Sequence, residues 1–586
     1  MKISYFTLFT LFFFVVNLSA QKSKPTKSKT QAVESTTPKE EPKVAVVAVK
    51  SNSAFSEAVK SLNRELQTVE NNKSQMGQTL SEFQPGVVKL NITSTTLKDG
   101  KSTSAFYEFN MADIDVNTIR TFTNKDVIQV QLLVSKKQKL IKKTTENQKS
   151  SYEEEVMIFA KNIDNGRVLV DLLKALVPLS NEIIEKRLSL KTYQEHVTWM
   201  ENNITDVKLV DKQFVQKMAV NQNYPGRLEL SIDEVAKQKT TNNAYIFNLA
   251  NLNVNSIFSE LKGDVIVVNI ETKRKLKSVK TFSAKEQKDY VNVFSIYCES
   301  VEKSRDLQKV LKATITLSED KIENAIPKIK SVSEGIGIIY NYIKNINVNE
   351  TTYNQSFSGD CLVTFTTKES TPSKMTEEQL YFNLKDLGKN MVRFFTEGKN
   401  VRIELRAKAG NNFLKHTVNQ ELKSYTNKFE MTFAEIEDAM IAEQILESMI
   451  ELCENSEIKL VGSKKDLLLQ LKNNIKKVDA NKNAFEQTFE IKEDNIVQFK
   501  NTEITEKASK TKIYEFNLND INPSTVEMNT SSTNVFVNVN TNYMEKIIKY
   551  YEDGVIKNYQ NSINIYTSNI EEARTIVELF KKIVQK

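Results

Sequence analysis

The chain carries one short aromatic motif four times, and that repetition limits what it can fold into. Tyr107-Glu-Phe109-Asn110-Met111 is followed by Tyr245-Ile-Phe247-Asn248-Leu249, Leu380-Tyr-Phe382-Asn383-Leu384 and Tyr514-Glu-Phe516-Asn517-Leu518. Successive asparagines lie 248 − 110 = 138, 383 − 248 = 135 and 517 − 383 = 134 residues apart. An Ile or Leu follows four positions after each Asn, at Ile114, Leu252, Leu387 and Ile521. Solenoid turns repeat every ~20–50 residues, so this period belongs to a whole small domain. A chain of 586 residues accommodates four such domains, each large enough to bury its own core.

The fourth copy shows the surrounding elements most clearly. Leu467, Leu468, Leu471 and Ile475 have helical spacing, and period-2 strands follow at 485–491, 496–504 and 512–518. Further strands read at 535–539, 546–551 and 562–566, with a hairpin signal at Glu552-Asp553-Gly554. A closing helix from about Ile570 puts Ala573, Ile576, Val577, Phe580, Ile583 and Val584 on one face. The other copies echo this order. The pattern predicts an α+β chain of four tandem units at 52–188, 189–328, 329–462 and 463–586. Each has a leading helix, about six antiparallel strands and a closing helix. Meandering strands sealed by one amphipathic helix resemble the pleckstrin-homology-like barrel. That resemblance implies a small barrel whose open end is plugged by the helix stripe. A strongly curved open sheet wrapped on a helix satisfies the same pattern. Between units the helices nearly run together, as from Leu172 to Met200, broken by Pro178, Ser180 and the Leu188-Ser-Leu stretch. No Gly/Ser-rich linker intervenes after residue 50, so the string reads as semi-rigid.

Residues 1–20 read as an export signal, with Lys2, an apolar run from Ile3 to Val16, and small Ala20 at the cleavage position. The run is shorter than the ~20 residues of a comfortable bilayer crossing. Residues 21–51, rich in Lys, Ser, Thr and Pro, read as a disordered linker. The expected destination is the periplasm or cell surface, with no transmembrane span in the mature chain. Signal style and Lys/Asn-rich composition resemble exported proteins of Gram-negative bacteria. Cys298, Cys361 and Cys453 are odd in number and do not recur with the repeat. They read as small buried hydrophobes, although Cys361 and Cys453 share a unit.

Catalytic constellations are sparse. His196 and His416 lie in different units without metal-ligand spacing, and neither neighbours a nucleophile motif. Gly335-Ile-Gly337 lacks the rest of a phosphate loop and reads as a break between helices. Asp113, Asn251, Asp386 and Asp520 recur at the turn after the motif, where an Asx side chain accepts a backbone hydrogen bond. These features point away from an enzyme and imply no cofactor or metal. A net charge of +7, from 81 basic and 74 acidic residues, is too mild to suggest nucleic acid. Two lysine-rich segments read as hairpins that could share a basic ligand face: Lys136, Lys137, Lys139, Lys142 and Lys143, with Lys273, Arg274, Lys275, Lys277 and Lys280. Its partner would be an acidic envelope polymer or another protein. Solvated hairpins that discourage edge-to-edge aggregation are the plainer reading. The expected function is a non-catalytic exported binding or scaffold protein of four modules. The alternatives are an envelope enzyme with its site at a junction between units, and a purely structural envelope component. An enzyme should gather unlike residues in one cleft, whereas a modular binder should repeat its patch.

Overall fold

The computed structural model describes residues 53–585 apart from 147–149, 238, 455–457, 481–482 and 494. The signal and linker readings for residues 1–51 lie outside the described residues.

The protein is α+β, and each unit places nine strands in two antiparallel sheets. In the fourth unit the larger sheet runs Val478–Asp479, Asn483–Ile491, Ile496–Thr505, Ser509–Asn517, Ile548–Glu552 and Val555–Gln560. The smaller sheet contains Glu527–Ser531, Asn534–Asn540 and Ser562–Thr567. Leading helix Lys464–Asn474 packs against closing helix Ile570–Val584. Three strands escape the sequence pattern for physical reasons. Val478–Asp479 is too short to alternate, Glu527–Ser531 is mostly polar, and Val555–Gln560 is exposed along nearly its whole length. Among the described residues no closed barrel forms, and each unit's strands fall into two sheets.

A buried glutamine ties the two sheets together in every unit. Gln78, Gln216, Gln355 and Gln487 each accept from a backbone N–H in the last strand and donate to the same residue's carbonyl. The partners are Phe159, Tyr297, Thr432 and Tyr566, at 2.6–3.0 Å. The same amide also donates to a carbonyl at or beyond the end of the leading helix: Gln67, Thr205, Ile343 or Lys476. A buried amide stripped of such partners costs about 1–3 kcal/mol, so this position tolerates little else. Phe109, Phe247, Phe382 and Phe516 are all buried in their units' cores.

Several local expectations change. Pro178 does not interrupt its helix, which runs Ile163–Arg187; the break comes before Tyr193–Asn203. Gly335 lies inside helix Val332–Ile343, where a Cβ would fall 2.6 Å from Met449 Sδ. The glycine therefore permits close packing of leading on closing helix, not a break. Cys361 and Cys453 are joined as a disulfide, because the loop between the second and third larger-sheet strands and the end of the closing helix meet there; Cys298 is buried and free. In the first unit Ser180, on the equivalent helix, donates instead to the Gly86 carbonyl at 2.9 Å.

Successive units are joined by the motif asparagine. Its Oδ1 accepts from the backbone N–H two residues on, capping a short 3-10 turn in all four units. Its Nδ2 donates to a glutamate on the first turn of the next unit's closing helix: Asn110 to Glu302 (3.0 Å), Asn248 to Glu437 (3.2 Å), Asn383 to Glu571 (3.4 Å). Three residues further along, Arg305 and Arg574 hold Asp113 and Asp386 through both carboxylate oxygens at 2.6–2.7 Å. At the middle joint Asn251 meets Met440 instead. The turn acids therefore serve the joint, and the capping assigned to them belongs to the asparagine. Burial raises the Asp113 and Asp386 carboxyls, with the facing arginines pulling the other way. The middle joint compensates through Arg227, which donates to Glu437 (2.9 Å) and Glu435 (2.8 Å) and lies over the Tyr224 ring. Tyr224 in turn donates to Asp438 at 3.0 Å.

Two outcomes follow from these joints. Asn248→Asp keeps the cap but sets a second carboxylate against Glu437, and should lower stability by ~2–4 kcal/mol. Asn517→Asp, whose cap faces no glutamate, should leave the urea midpoint nearly unchanged. Asp438 supplies the second. Burial pushes its carboxyl up to about 6, against ~3.9 in an unfolded chain. The folded state therefore holds this proton to higher pH than the unfolded state. Its contribution is full below pH ~4, falls as pH rises, and is lost above about 6. Denaturation midpoints across that window should show a slope that Asp438→Asn flattens.

Candidate functional site

The lysine-rich segments are crossings between sheets, not hairpins. Ser135–Lys137 and Lys273–Lys275 form tight turns linking a smaller-sheet strand to a larger-sheet strand. Lys136, Lys137, Arg274 and Lys275 there have φ of 53–57°, the left-handed region that non-glycine residues rarely occupy. These four, with Lys139 and Lys277, are exposed. The remaining four are engaged. Lys142 lines a cavity at the first joint, and Lys143 lies over the Tyr107 ring, 3.8 Å from Glu153. Lys273 pairs with Glu319, and Lys280 is drawn into the middle joint, 3.2 Å from Glu435.

The residues that set one unit apart gather elsewhere, in the third. Its motif begins with Leu380 where the other units have Tyr107, Tyr245 and Tyr514. Its last strand has Thr432 where the glutamine tie meets Phe159, Tyr297 and Tyr566. In the second and fourth units that ring stacks on the smaller-numbered partner, Phe214–Tyr297 and Phe485–Tyr566, with centroids 3.7 Å apart. Tyr353 occupies the Phe214 position in the third unit but has Thr432 where the others have a ring, and its hydroxyl interacts with Arg402. Arg402, paired with Thr432 across the small sheet, replaces Gln129, Val267 and Phe536.

Losing two rings opens a cavity of about 490 Å³ between the sheets, the size of a small-molecule site. Its floor is one face of the larger sheet. Thr367 sits opposite Glu378, Glu369 opposite Thr376, and Leu380 opposite His416. The opposite wall, from the smaller sheet, carries Arg402, Glu430 and Thr432, with Tyr353 facing it from the larger sheet. Formal charges in the lining balance, Lys374, Arg402 and Lys428 against Glu369, Glu378 and Glu430. Arg402 pairs with Glu430 at 2.8 Å, His416 contacts Glu378 at 3.3 Å, and Lys428 pairs with Glu404 outside the lining at 3.0 Å. Arg402 Nε is buried without a hydrogen-bond partner, a donor that a bound molecule could satisfy. His196, by contrast, is a satisfied helix residue, its Nδ1 2.7 Å from the Thr192 carbonyl. The departure at Leu380 was visible in the motif itself. Thr432 and Arg402 carried no signal until strand register aligned them with their counterparts.

Comparisons with protein-family models, with curated proteins and with solved structures find no match for this chain. What defines it is an α+β array of tandem two-sheet units. Among the described residues no helix is long and apolar enough to cross a membrane, and no group of three His, Cys, Asp or Glu side chains is arranged to hold a metal.

The placement of the basic residues has a measurable consequence. Lys280→Glu puts a third acid beside Glu435 and Glu437 and should lower stability by ~2–4 kcal/mol. Lys137→Glu, on an exposed turn, should leave the thermal midpoint unchanged within error.

Proposed function

We propose that this chain is a non-catalytic binding and scaffold protein, exported to the periplasm or cell surface, with its ligand cleft in the third unit. The observation that carries the reading is the coincidence of Leu380, Thr432 and Arg402 around one cavity, while all three joints keep the same asparagine–glutamate contact. The scaffold component rests on those buried, charge-linked joints, which hold the units at fixed spacing. The Cys361–Cys453 disulfide supports an oxidising compartment. The lining is rich in threonines and balanced in charge, and so suits a neutral, hydroxyl-rich ligand such as a sugar of an envelope polysaccharide. The exposed lysines of the first two units would add attraction toward acidic segments of the same polymer.

His416 beside Glu378 in this cleft favours a second reading, an acid–base pair acting on the bound molecule. The test is retention on immobilised envelope polysaccharide. Thr432→Tyr with Leu380→Tyr rebuilds the rings of the other units and should abolish retention by the wild type while far-UV circular dichroism stays unchanged. Equal retention by both proteins removes the cleft from the proposal. Chemical turnover of the polymer that disappears in His416→Gln would replace binding by catalysis.

A further inference from the structure

Each internal joint has a helix half and a turn half, and the structure leaves one of each uncovered. The helix half is the first turn of a closing helix: Val301, Glu302 and Arg305; Ile436, Glu437 and Met440; Ile570, Glu571 and Arg574. The first unit's version is Ile163, Asp164 and Arg167. Ile163 is 57% exposed, whereas Ile436 and Ile570 are 6% and 7% exposed beneath the preceding unit. Asp164 and Arg167 pair only with each other in the open, at 3.0 Å, with side chains 86% and 72% exposed.

The turn half consists of the motif asparagine, the acid three residues later, and a tyrosine on the larger sheet's outer strand. Asn383, Asp386 and Tyr425 are each 7% exposed under the fourth unit. Their counterparts Asn517 and Asp520 are partly exposed, and Tyr559 is 50% exposed.

A second contact accompanies the middle and last joints. Thr396 Oγ1 donates to the Lys277 carbonyl (2.6 Å), and Thr530 Oγ1 to the Asn412 carbonyl (3.0 Å). Backbone N–H groups of Tyr290 and Tyr425 donate to the carbonyls of Gly398 and Ser532 at 3.3 and 3.2 Å. The equivalent positions, Thr123 and Lys125 in the first unit and Lys546 and Tyr559 in the fourth, are all exposed. The open halves also match in type. Asp520 and Arg167 reproduce the Asp113–Arg305 and Asp386–Arg574 pairs, not the Asn251–Met440 contact.

We propose that the chain associates head to tail with a second copy of itself, the first unit's Ile163–Arg167 turn docking on the fourth unit's Asn517–Asp520 turn. Arg167 then meets Asp520, Asp164 faces Asn517, and Ile163 is covered as its counterparts are. Such a contact is heterologous: each copy keeps one half free, so the association continues beyond two chains unless the rotation closes a ring. It repeats the internal joint in trans, and carries the spacing of units from one chain into the next.

Sedimentation equilibrium of the full chain, from dilute solution to about 1 mM, tests this. The wild type should gain mass in steps of one chain, and Arg167→Asp and Asp520→Arg should each remain a single chain over the range. Arg167 is exposed and Asp520 partly exposed, so thermal midpoints should change little. An equimolar mixture of the two variants should regain association, because one still carries the wild-type Asp520 half and the other the wild-type Arg167 half. A wild type that stays a single chain overturns the proposal. So does association that survives both substitutions, or a mixture that stays unassociated.

Discussion

The motif asparagine does two things at once, and the array depends on both. Its carbonyl oxygen closes the 3-10 turn after the motif strand, while its amide nitrogen reaches a glutamate of the following unit. Aspartate would cap the turn but repel that glutamate, and serine would cap it but fall short of it. Only an amide supplies an acceptor for its own backbone and a donor for its neighbour. The glutamate it meets lies in the first turn of a helix, where the positive end of the helix dipole also favours a carboxylate. Order within a unit and order between units are thus coupled through one side chain.

Around that asparagine the joints use different chemistry for the same purpose. The outer two add a buried Asp–Arg pair, whereas the middle one shifts its charge to Arg227, Glu435 and Glu437. Buried ion pairs contribute modest net stability because desolvation offsets their attraction, yet leaving one partner alone costs ~3–5 kcal/mol. They therefore penalise misaligned units more than they reward aligned ones. That is a sound basis for holding a register along a tandem array.

Inside each unit the glutamine tie plays the corresponding part between sheets, and its tolerance explains where a site could arise. The tie bonds to backbone, so the side chain on the last strand is free to vary. Two units place a tyrosine there and the first a phenylalanine, filling the space; the third places a threonine, and a cavity results. The fold can thus acquire a cleft in one unit without disturbing its sheets.

Periodicity alone determined the α+β class, the four units, the element order and the buried ring at Phe109, Phe247, Phe382 and Phe516, because a recurring hydrophobic pattern has few ways to be buried. In the fourth unit it also located six strands with an apolar pattern, and it passed over those that are short, polar or exposed. Contacts between residues about 190 positions apart were decided only by the tertiary structure. Asp113 looked like a turn-former because its turn is local, whereas its partner Arg305 lies on another unit's helix. Cys361 and Cys453 looked unpaired because the three cysteines are odd in number and do not recur with the repeat; they lie 92 residues apart and meet only when the closing helix folds back. The ten basic residues read as hairpins, either solvated or sharing one face. Strand pairing put seven of them on crossings between sheets and Lys142, Lys143 and Lys280 in larger-sheet strands, with Lys280 drawn into a joint, since hydrogen-bond register, not charge, sets where a segment runs.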